Sequence, residues 1–257
     1  MSILEANTEQ LQQILAAVKA LPNADGDVTA PGENHDIADL LGDSLESIKC
    51  NATSIRNYMF RTSNALTSID CPEATTIGEY AFYSCTNLSE INFPKVVQIK
   101  PSAFYQCKIT TANFPLLTVA GSNAFHQCNS LRSACFQSLI NMASTYFLRD
   151  CSSLLIADFP KLTNITANAF NGCRSLEALI LRSETMVALA NTNAFTNCYR
   201  ILGTSNAGYN PGGGINGFIY VPYALIEEYS NDANWATFAA NFRAIEDFPE
   251  ICGGGSN

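Results

Sequence analysis

The chain contains no unbroken apolar run of roughly 18 or more residues, which excludes a transmembrane helix. Residues 1–21 lack a basic start, an apolar stretch and a small-residue cleavage site, so no secretory signal peptide is expected. The expected setting is then a virion or a cytoplasm, with secretion by a non-standard route as the lesser alternative. Charge is also scarce: charged residues make up 14% of the chain against 47% hydrophobic. That balance is too apolar for disorder and predicts a large buried core. There is no basic stripe. Residues 1–50 hold nine acidic and two basic residues, residues 51–182 seven and ten, and residues 183–257 seven and two. Phosphate contact needs clustered Lys and Arg, so nucleic acid and an anionic membrane surface are excluded as partners.

The groups that carry chemistry are equally thin. Histidine occurs twice, at His35 and His126, and each reads as a solvated side chain. No Ser-His-Asp or Cys-His set can be assembled from those positions. Within the repeats acidic residues do not pair at a fixed spacing, which leaves neither a glycosidase pair nor a calcium repeat. Gly212-Gly213-Gly214 is followed by no Lys-Ser/Thr, so it is not a phosphate loop. No catalytic residue, metal or cofactor is expected, and the chain does not read as an enzyme.

What is present is periodicity. Phe60, Phe82, Phe104, Phe125, Phe147, Phe170 and Phe195 recur at intervals of 22, 22, 21, 22, 23 and 25. Alanine precedes Phe82, Phe104, Phe125, Phe170 and Phe195, and a cysteine follows three residues later at Cys85, Cys107, Cys128, Cys173 and Cys198. The fifth unit is shifted: Cys151 stands three beyond Leu148, which points to Leu148 rather than Phe147 as the residue in that slot. Next comes an apolar pair and an aromatic or apolar residue, often before proline, as in Leu88-Ile91-Phe93-Pro94 and Leu154-Ala157-Phe159-Pro160.

Each unit is too small to bury its own apolar face, so neighbours must stack. The alternation Ile91 in, Asn92 out, Phe93 in reads as a short strand, and stacked copies make a parallel sheet with strands about 4.8 Å apart. Proline after Phe93, Phe114 and Phe159 marks where each strand stops pairing. The Ala-Phe-x-x-Cys segment returns the chain as a turn, or as a turn of α- or 3₁₀-helix. The expected fold is therefore an α/β solenoid, with a short-strand parallel sheet on one side and turns or short helices on the other.

The segment from Thr76 to Leu88, Thr-Ile-Gly-Glu-Tyr-Ala-Phe-Tyr-Ser-Cys-Thr-Asn-Leu, resembles the BspA-like leucine-rich repeat family. The resemblance spans about residues 45–250. Its ending, Ile219-Tyr220-Val221-Pro222 with Tyr229, Asn234-Trp235 and Ala244-Ile245-Glu246, is similar to the terminal cap of bacterial and bacteriophage members. The resemblance implies a surface or secreted protein with a role in adhesion and protein binding.

The flanks divide the rest. Residues 1–21 carry an amphipathic helix, with Leu4, Leu11 and Val18 spaced by seven and Ile14 and Leu21 as a second seam. It either packs on the first repeat or is loosely attached, or it forms a short coiled coil that makes a homo-oligomer. Residues 22–35 read as a flexible linker, and Asp36 to Leu41 as a short helix capping the array. The repeats, with this N-terminal cap, occupy residues 36–200. Residues 201–250 form a C-terminal capping region with a Gly- and Asn-rich insertion at Gly203–Gly217, helices at Pro222–Tyr229 and Ala233–Ala240, and Trp235 in the core. Residues 251–257 are expected as a disordered tail.

Cysteines in one slot should stack with parallel side chains, which suits neither tetrahedral zinc nor a disulfide. They are expected as free thiols, including Cys50 and Cys71 in the strand slot. Cys135 differs: it precedes Phe136 and should point outward. It reads as an incidental exposed thiol or, alternatively, a reactive one. The outward strand positions form two columns. One contains Lys49, Asp70, Asn92, Asn113, Cys135, Asp158 and Ile180; the other contains Ser47, Ser68, Glu90, Thr111, Ser133, Ile156 and Ala178. A face of small polar groups turning apolar at Ile156 and Ile180 is either an ordinary solvated surface or a candidate site for a protein or glycan partner. The expected function is a non-catalytic binding or adhesion module, displayed on a phage particle; the alternatives are an intracellular bacterial scaffold and, least of all, an enzyme with an unrecognised site.

Overall fold

The computed structural model describes residues 46–142 and 145–250. The helix expected at residues 1–21, the expected linker, the Asp36 to Leu41 segment, His35, and residues 251–257, Cys252 among them, lie outside the described residues.

The chain winds in stacked coils, most contributing two short strands and a run of turns; the coil of β9 has a single bridge, Asn141 to Asn164, in place of its side strand. The front strands are β1 (Ser47–Lys49), β3 (Ser68–Asp70), β5 (Glu90–Asn92), β7 (Thr111–Asn113), β9 (Ser133–Cys135), β10 (Ile156–Phe159) and β12 (Ala178–Leu181). The side strands are β2 (Ser54–Ile55), β4 (Thr76–Ile77), β6 (Gln98–Ile99), β8 (Val119–Ala120), β11 (Asn164–Ile165) and β13 (Ala188–Leu189). Two late strands, β14 (Phe218–Val221) and β15 (Phe242–Ala244), extend the front. All strand pairing is parallel: β1-β3-β5 and β7-β9-β10-β12-β14-β15 at the front, β2-β4-β6-β8 and β11-β13 at the side.

The periodic residues build one continuous interior. Phe60, Phe82, Phe104 and Phe125 stack with ring centroids 5.4, 5.1 and 5.3 Å apart. A second ladder, Phe93, Phe114, Phe136 and Phe159, stacks at 6.4, 6.3 and 5.5 Å. The two ladders touch through tilted contacts such as Phe93 with Phe104 at 6.2 Å. Each such pair adds about 0.5–1.5 kcal/mol beyond the area it buries. In the shifted unit Leu148 N–H bonds Ala169 O as Phe125 N–H bonds Phe147 O, which places Leu148 in the Phe slot and Phe147 in the Ala slot; both are buried.

The return side is built mainly of turns. Two residues per coil take left-handed backbone, one before the Ala slot (Tyr80, Ser102, Asn123, Tyr146, Asn168) and one before the Cys slot (Ser84, Gln106, Gln127, Asp150). This geometry turns alternate amides toward the next coil: Tyr80, Phe82 and Ser84 N–H bond the carbonyls of Pro101, Ala103 and Tyr105. A helix would spend those amides within the coil, so the turn run is what lets this side pair as the strands do. A short 3₁₀ segment, Thr192–Phe195, replaces it in the last repeat.

The ladder of buried thiols is also a hydrogen-bond ladder. Cys85, Cys107, Cys128, Cys151, Cys173 and Cys198 each donate from Sγ to a carbonyl of the preceding coil, at 2.9–3.1 Å. Burial pushes the thiols of Cys107, Cys128, Cys151, Cys173 and Cys198 upward, to about 12 at Cys128, so they stay protonated donors. Cys50 and Cys71 correct the expectation of free thiols throughout, because they form a disulfide with Cα atoms 4.8 Å apart. Neighbours in one slot stand one strand spacing apart, and that spacing falls inside the range a disulfide spans.

Candidate binding faces

The strand register assembles both outward columns. Ser47 lies beside Ser68 and Glu90, and Lys49 beside Asp70 and Asn92. Thr111, Ser133, Ile156, Ala178 and Phe218 form one row of neighbours, and Asn113, Cys135, Asp158, Ile180 and Tyr220 the other. No strand pairing joins β5 to β7 among the described residues. Here the repeat is one residue short: Cys107-Lys108-Ile109 replaces the Cys-x-x-Leu of other coils. Leu66, Leu88, Leu131, Leu154 and Leu176 each return an amide to the residue three before, and Ile109 forms no such bond.

Lys49, Glu90, Asn92, Thr111, Asn113 and Ile156 are exposed, and Asp70, Cys135 and Asp158 are half-buried. Asn92 Nδ2 donates to Asp70 Oδ1 at 2.8 Å, and Lys49 Nζ lies 3.5 Å from Asp70 Oδ2. Arg182 holds Asp158 through two bonds, Nε at 3.2 Å and a terminal nitrogen at 3.0 Å. Burial, reinforced by the Asp158 charge, pushes the Cys135 thiol up, which opposes thiolate reactivity.

Ile180 requires a correction. It is only 3% exposed, because it packs with Tyr220 and Ile245, against which Ala178, Phe218 and Phe248 also lie. Phe248 meets the Tyr220 ring edge-on at 5.2 Å. The chain's own C-terminal segment therefore covers the apolar end of the front sheet, and Ile180 is unavailable to a partner.

The turn side carries a feature that the outward-strand reasoning missed. Tyr58 stacks on Tyr80 at 5.2 Å and Tyr83 on Tyr105 at 4.7 Å, with Tyr80 and Tyr83 5.4 Å apart. The Arg61 guanidinium lies 6.0 Å from the Tyr58 ring and 5.5 Å from the Tyr83 ring. The signal was available in the period. Tyr58, Tyr80 and Tyr146 stand two before the Phe slot, and Tyr83, Tyr105 and His126 one after it.

His126 is not the solvated residue expected. Its side chain is 12% exposed, set between Tyr105 at 5.0 Å and Tyr146 at 6.2 Å. Nδ1 lies 3.1 Å from Asn123 Oδ1 and Nε2 lies 3.2 Å from Asp150 Oδ2. Burial lowers its pKa, against the opposing pull of Asp150. Beside it lies an open polar depression of about 420 Å³, lined by Gln127, Asn129, Asp150, Ser152, Gly172, Arg174 and Tyr209.

At the C-terminal end, α1 (Tyr199–Leu202) leads into the insertion, and α2 (Ile226–Asn231) and the 3₁₀ segment Ala236–Asn241 close the last coil. α2 and the turn that follows it satisfy the open edge at β13: Val187 N–H donates to Tyr229 Oη at 2.8 Å, Trp235 Nε1 donates to Val187 O at 2.7 Å, and Asn234 Nδ2 to Leu189 O at 2.8 Å. A terminal strand would otherwise leave these groups as a template for another chain. Burial pushes the Tyr229 phenol up to about 12.

No helix among the described residues is long and apolar enough to cross a membrane, and these residues hold no cluster of three or more His, Cys, Asp or Glu able to take a metal. A family model for the BspA type leucine rich repeat region matches residues 53–177 in six copies. Among solved structures, a leucine rich repeat protein of T. pallidum is 24% identical with a TM-score of 0.57, over 62% of this chain and 79% of that one. A leucine rich cell surface protein of Faecalibacterium prausnitzii is 16% identical, with a TM-score of 0.35 over 57% and 61% of the two chains. A leucine-rich repeat protein of Bacteroides ovatus is 15% identical, with a TM-score of 0.31 over 78% and 92%. No curated protein matches the chain. With stacked parallel coils, the buried Phe and Cys ladders and six matched repeats, residues 53–177 of this chain are a BspA-type leucine-rich-repeat array.

Proposed function

We propose that the chain is a non-catalytic recognition module that binds a protein or glycan partner through its solenoid surface. One observation carries the reading. On each side of the break between β5 and β7 the front strands present exposed side chains in register, Lys49, Glu90 and Asn92 on one side and Thr111, Asn113 and Ile156 on the other, and none of them is needed for the core. A rigid two-column array of small polar groups is a surface for contact, not a reaction centre. The Cys50–Cys71 disulfide favours an oxidising setting, and with it display on a cell or particle surface over an intracellular scaffold.

The test is binding of the purified chain to a glycan array and to intact bacterial and epithelial cells. Saturable binding that Asn92→Arg combined with Asn113→Arg abolishes is the expected result. Binding indifferent to those substitutions, or none on any surface, would overturn the reading. So would turnover of a hydrolase substrate lost on changing a single residue.

A further inference from the structure

The insertion Gly203–Gly217 is the largest break in the repeat pattern, and it builds one wall of the polar depression. It is tied together by its own hydrogen bonds. Buried Asn210 Nδ2 lies 3.0–3.2 Å from the carbonyl oxygens of Tyr199, Thr204 and Gly214, which share its two hydrogens, and its Oδ1 accepts from Asn216 Nδ2 at 3.2 Å. Tyr209 is thereby held against Tyr199 at 6.0 Å and under the Arg174 guanidinium at 5.4 Å.

The floor of the depression is rich in unused donors. Gln127 Oε1 accepts from Gln106 and Asn129 Oδ1 from Ser152, so the fold employs both amides as acceptors. Their NH₂ groups have no acceptor among the described residues. Arg174 forms no ion pair among the described residues, and its Nε is buried without a hydrogen-bond partner. Asp150, the one carboxylate here, is already held at Oδ2 by His126 and by Arg149, each at 3.2 Å. Its Oδ1 lies over Gly172, where a Cβ would stand 2.2 Å away, so glycine at this position leaves room for the oxygen.

We infer that this depression binds a carboxylate-bearing sugar, a uronic or sialic acid unit of an oligosaccharide. The inference rests on the glycan branch of the proposed function and places a second site away from the front sheet. The sugar carboxylate takes the Arg174 guanidinium, whose planar fork matches it. Ring and hydroxyl oxygens take the Gln127 and Asn129 amides, and sugar hydroxyls donate to Asp150 Oδ1 and Ser152 Oγ. The volume falls at the small end of ligand pockets, roughly 300–1,000 Å³. The repeat body does not repel an anion, since residues 51–182 hold ten basic and seven acidic residues.

The experiment titrates the full chain with a tetrasaccharide of alternating glucuronate and N-acetylglucosamine, and with sialyllactose, while backbone NMR follows Gly172 and Arg174. Chitotetraose, tetraglutamate and inorganic phosphate are the comparators. Shifts at these two amides with at least one acidic sugar, and affinity at least tenfold above every comparator, are expected. Arg174→Gln should remove that preference, Arg174→Lys should restore part of it, and Lys161→Gln should leave it intact. Binding as strong to chitotetraose, tetraglutamate or phosphate, or no shift with either acidic sugar, overturns the assignment. Partner binding lost with Asn92→Arg and Asn113→Arg would then still support the front sheet, so the two readings fail separately.

Discussion

The three-stranded half of the front sheet, β1-β3-β5, is closed near its start by a covalent bond, whereas the six-stranded half, β7 to β15, ends in a hydrogen-bonded aromatic lid. In the first half, Cys50 and Cys71 take the slot that Phe93, Phe114, Phe136 and Phe159 fill further on. In the second, Trp235, Tyr229 and Phe238 cover the last coil, and Ile245 and Phe248 fold over the front. The consequence is an asymmetric surface: the early coils keep their outward columns open and the late ones cover them. A solenoid's ends decide which part of a uniform repeat can meet a partner.

The lid should be the harder end to lose. Trp235→Ala empties the largest buried side chain and strips Val187 O of its donor, at a cost of about 3–5 kcal/mol. Urea unfolding should show the loss, with hydrogen exchange fastest at β14 and β15. A change below about 1 kcal/mol would mean that the lid does not close the array.

Reduction of Cys50–Cys71 comes next. The bond closes a loop with a sequence separation of 21, worth about 3 kcal/mol in the chain-entropy view. Coils couple mainly to their neighbours, so the loss should appear as faster exchange at the amides of β1 and β3 and leave β12 unchanged. Exchange that accelerates equally along the whole array would erase the distinction between the two ends.

Much of this was legible in the residues and some was not, for identifiable reasons. The Phe and Cys intervals revealed the coils, and the Leu148–Cys151 spacing revealed which residue took the slot in the shifted unit. The strand alternation gave the outward columns, since side-chain period and register are local properties. Ile180 misled because its burial depends on Ile245 and Phe248, distant residues that no period connects to it. The disulfide was missed by weighing side-chain direction in a ladder and not the distance between its rungs. The tyrosine ribbon was visible at the period of the repeat, but only if the half-buried turn positions are followed as closely as the apolar ones.

The break at Lys108 supplies a gentler test of the two halves. Phe104 and Gln106 N–H still bond Ala124 and His126 O, and β6 still pairs with β8, so the array crosses the break on its turn and side faces. Inserting one asparagine after Lys108 restores the Cys-x-x-Ile spacing. It should let β5 pair with β7, adding about 1–2 kcal/mol for two backbone hydrogen bonds and slowing exchange at Thr111 and Asn113. Unchanged exchange there would show that chain length is not what separates the halves.

The smallest effect concerns His126, on the turn face just past that break. Burial holds its native pKa below the unfolded value, about 6.5. Above pH 6.5 both states carry a neutral ring and the contribution is flat. As pH falls through 6.5 the unfolded chain takes up the proton first, so stability declines, and it levels off below the native pKa. Urea midpoints at pH 7.5 and 5.5 should therefore differ in that direction, and His126→Gln should shrink the difference, with His35 common to both proteins. A midpoint that rises toward pH 5.5 would mean that Asp150 outweighs burial. The ring between Tyr105 and Tyr146 would then be an imidazolium, bonding Asn123 and Asp150 together across the coils that join the two halves.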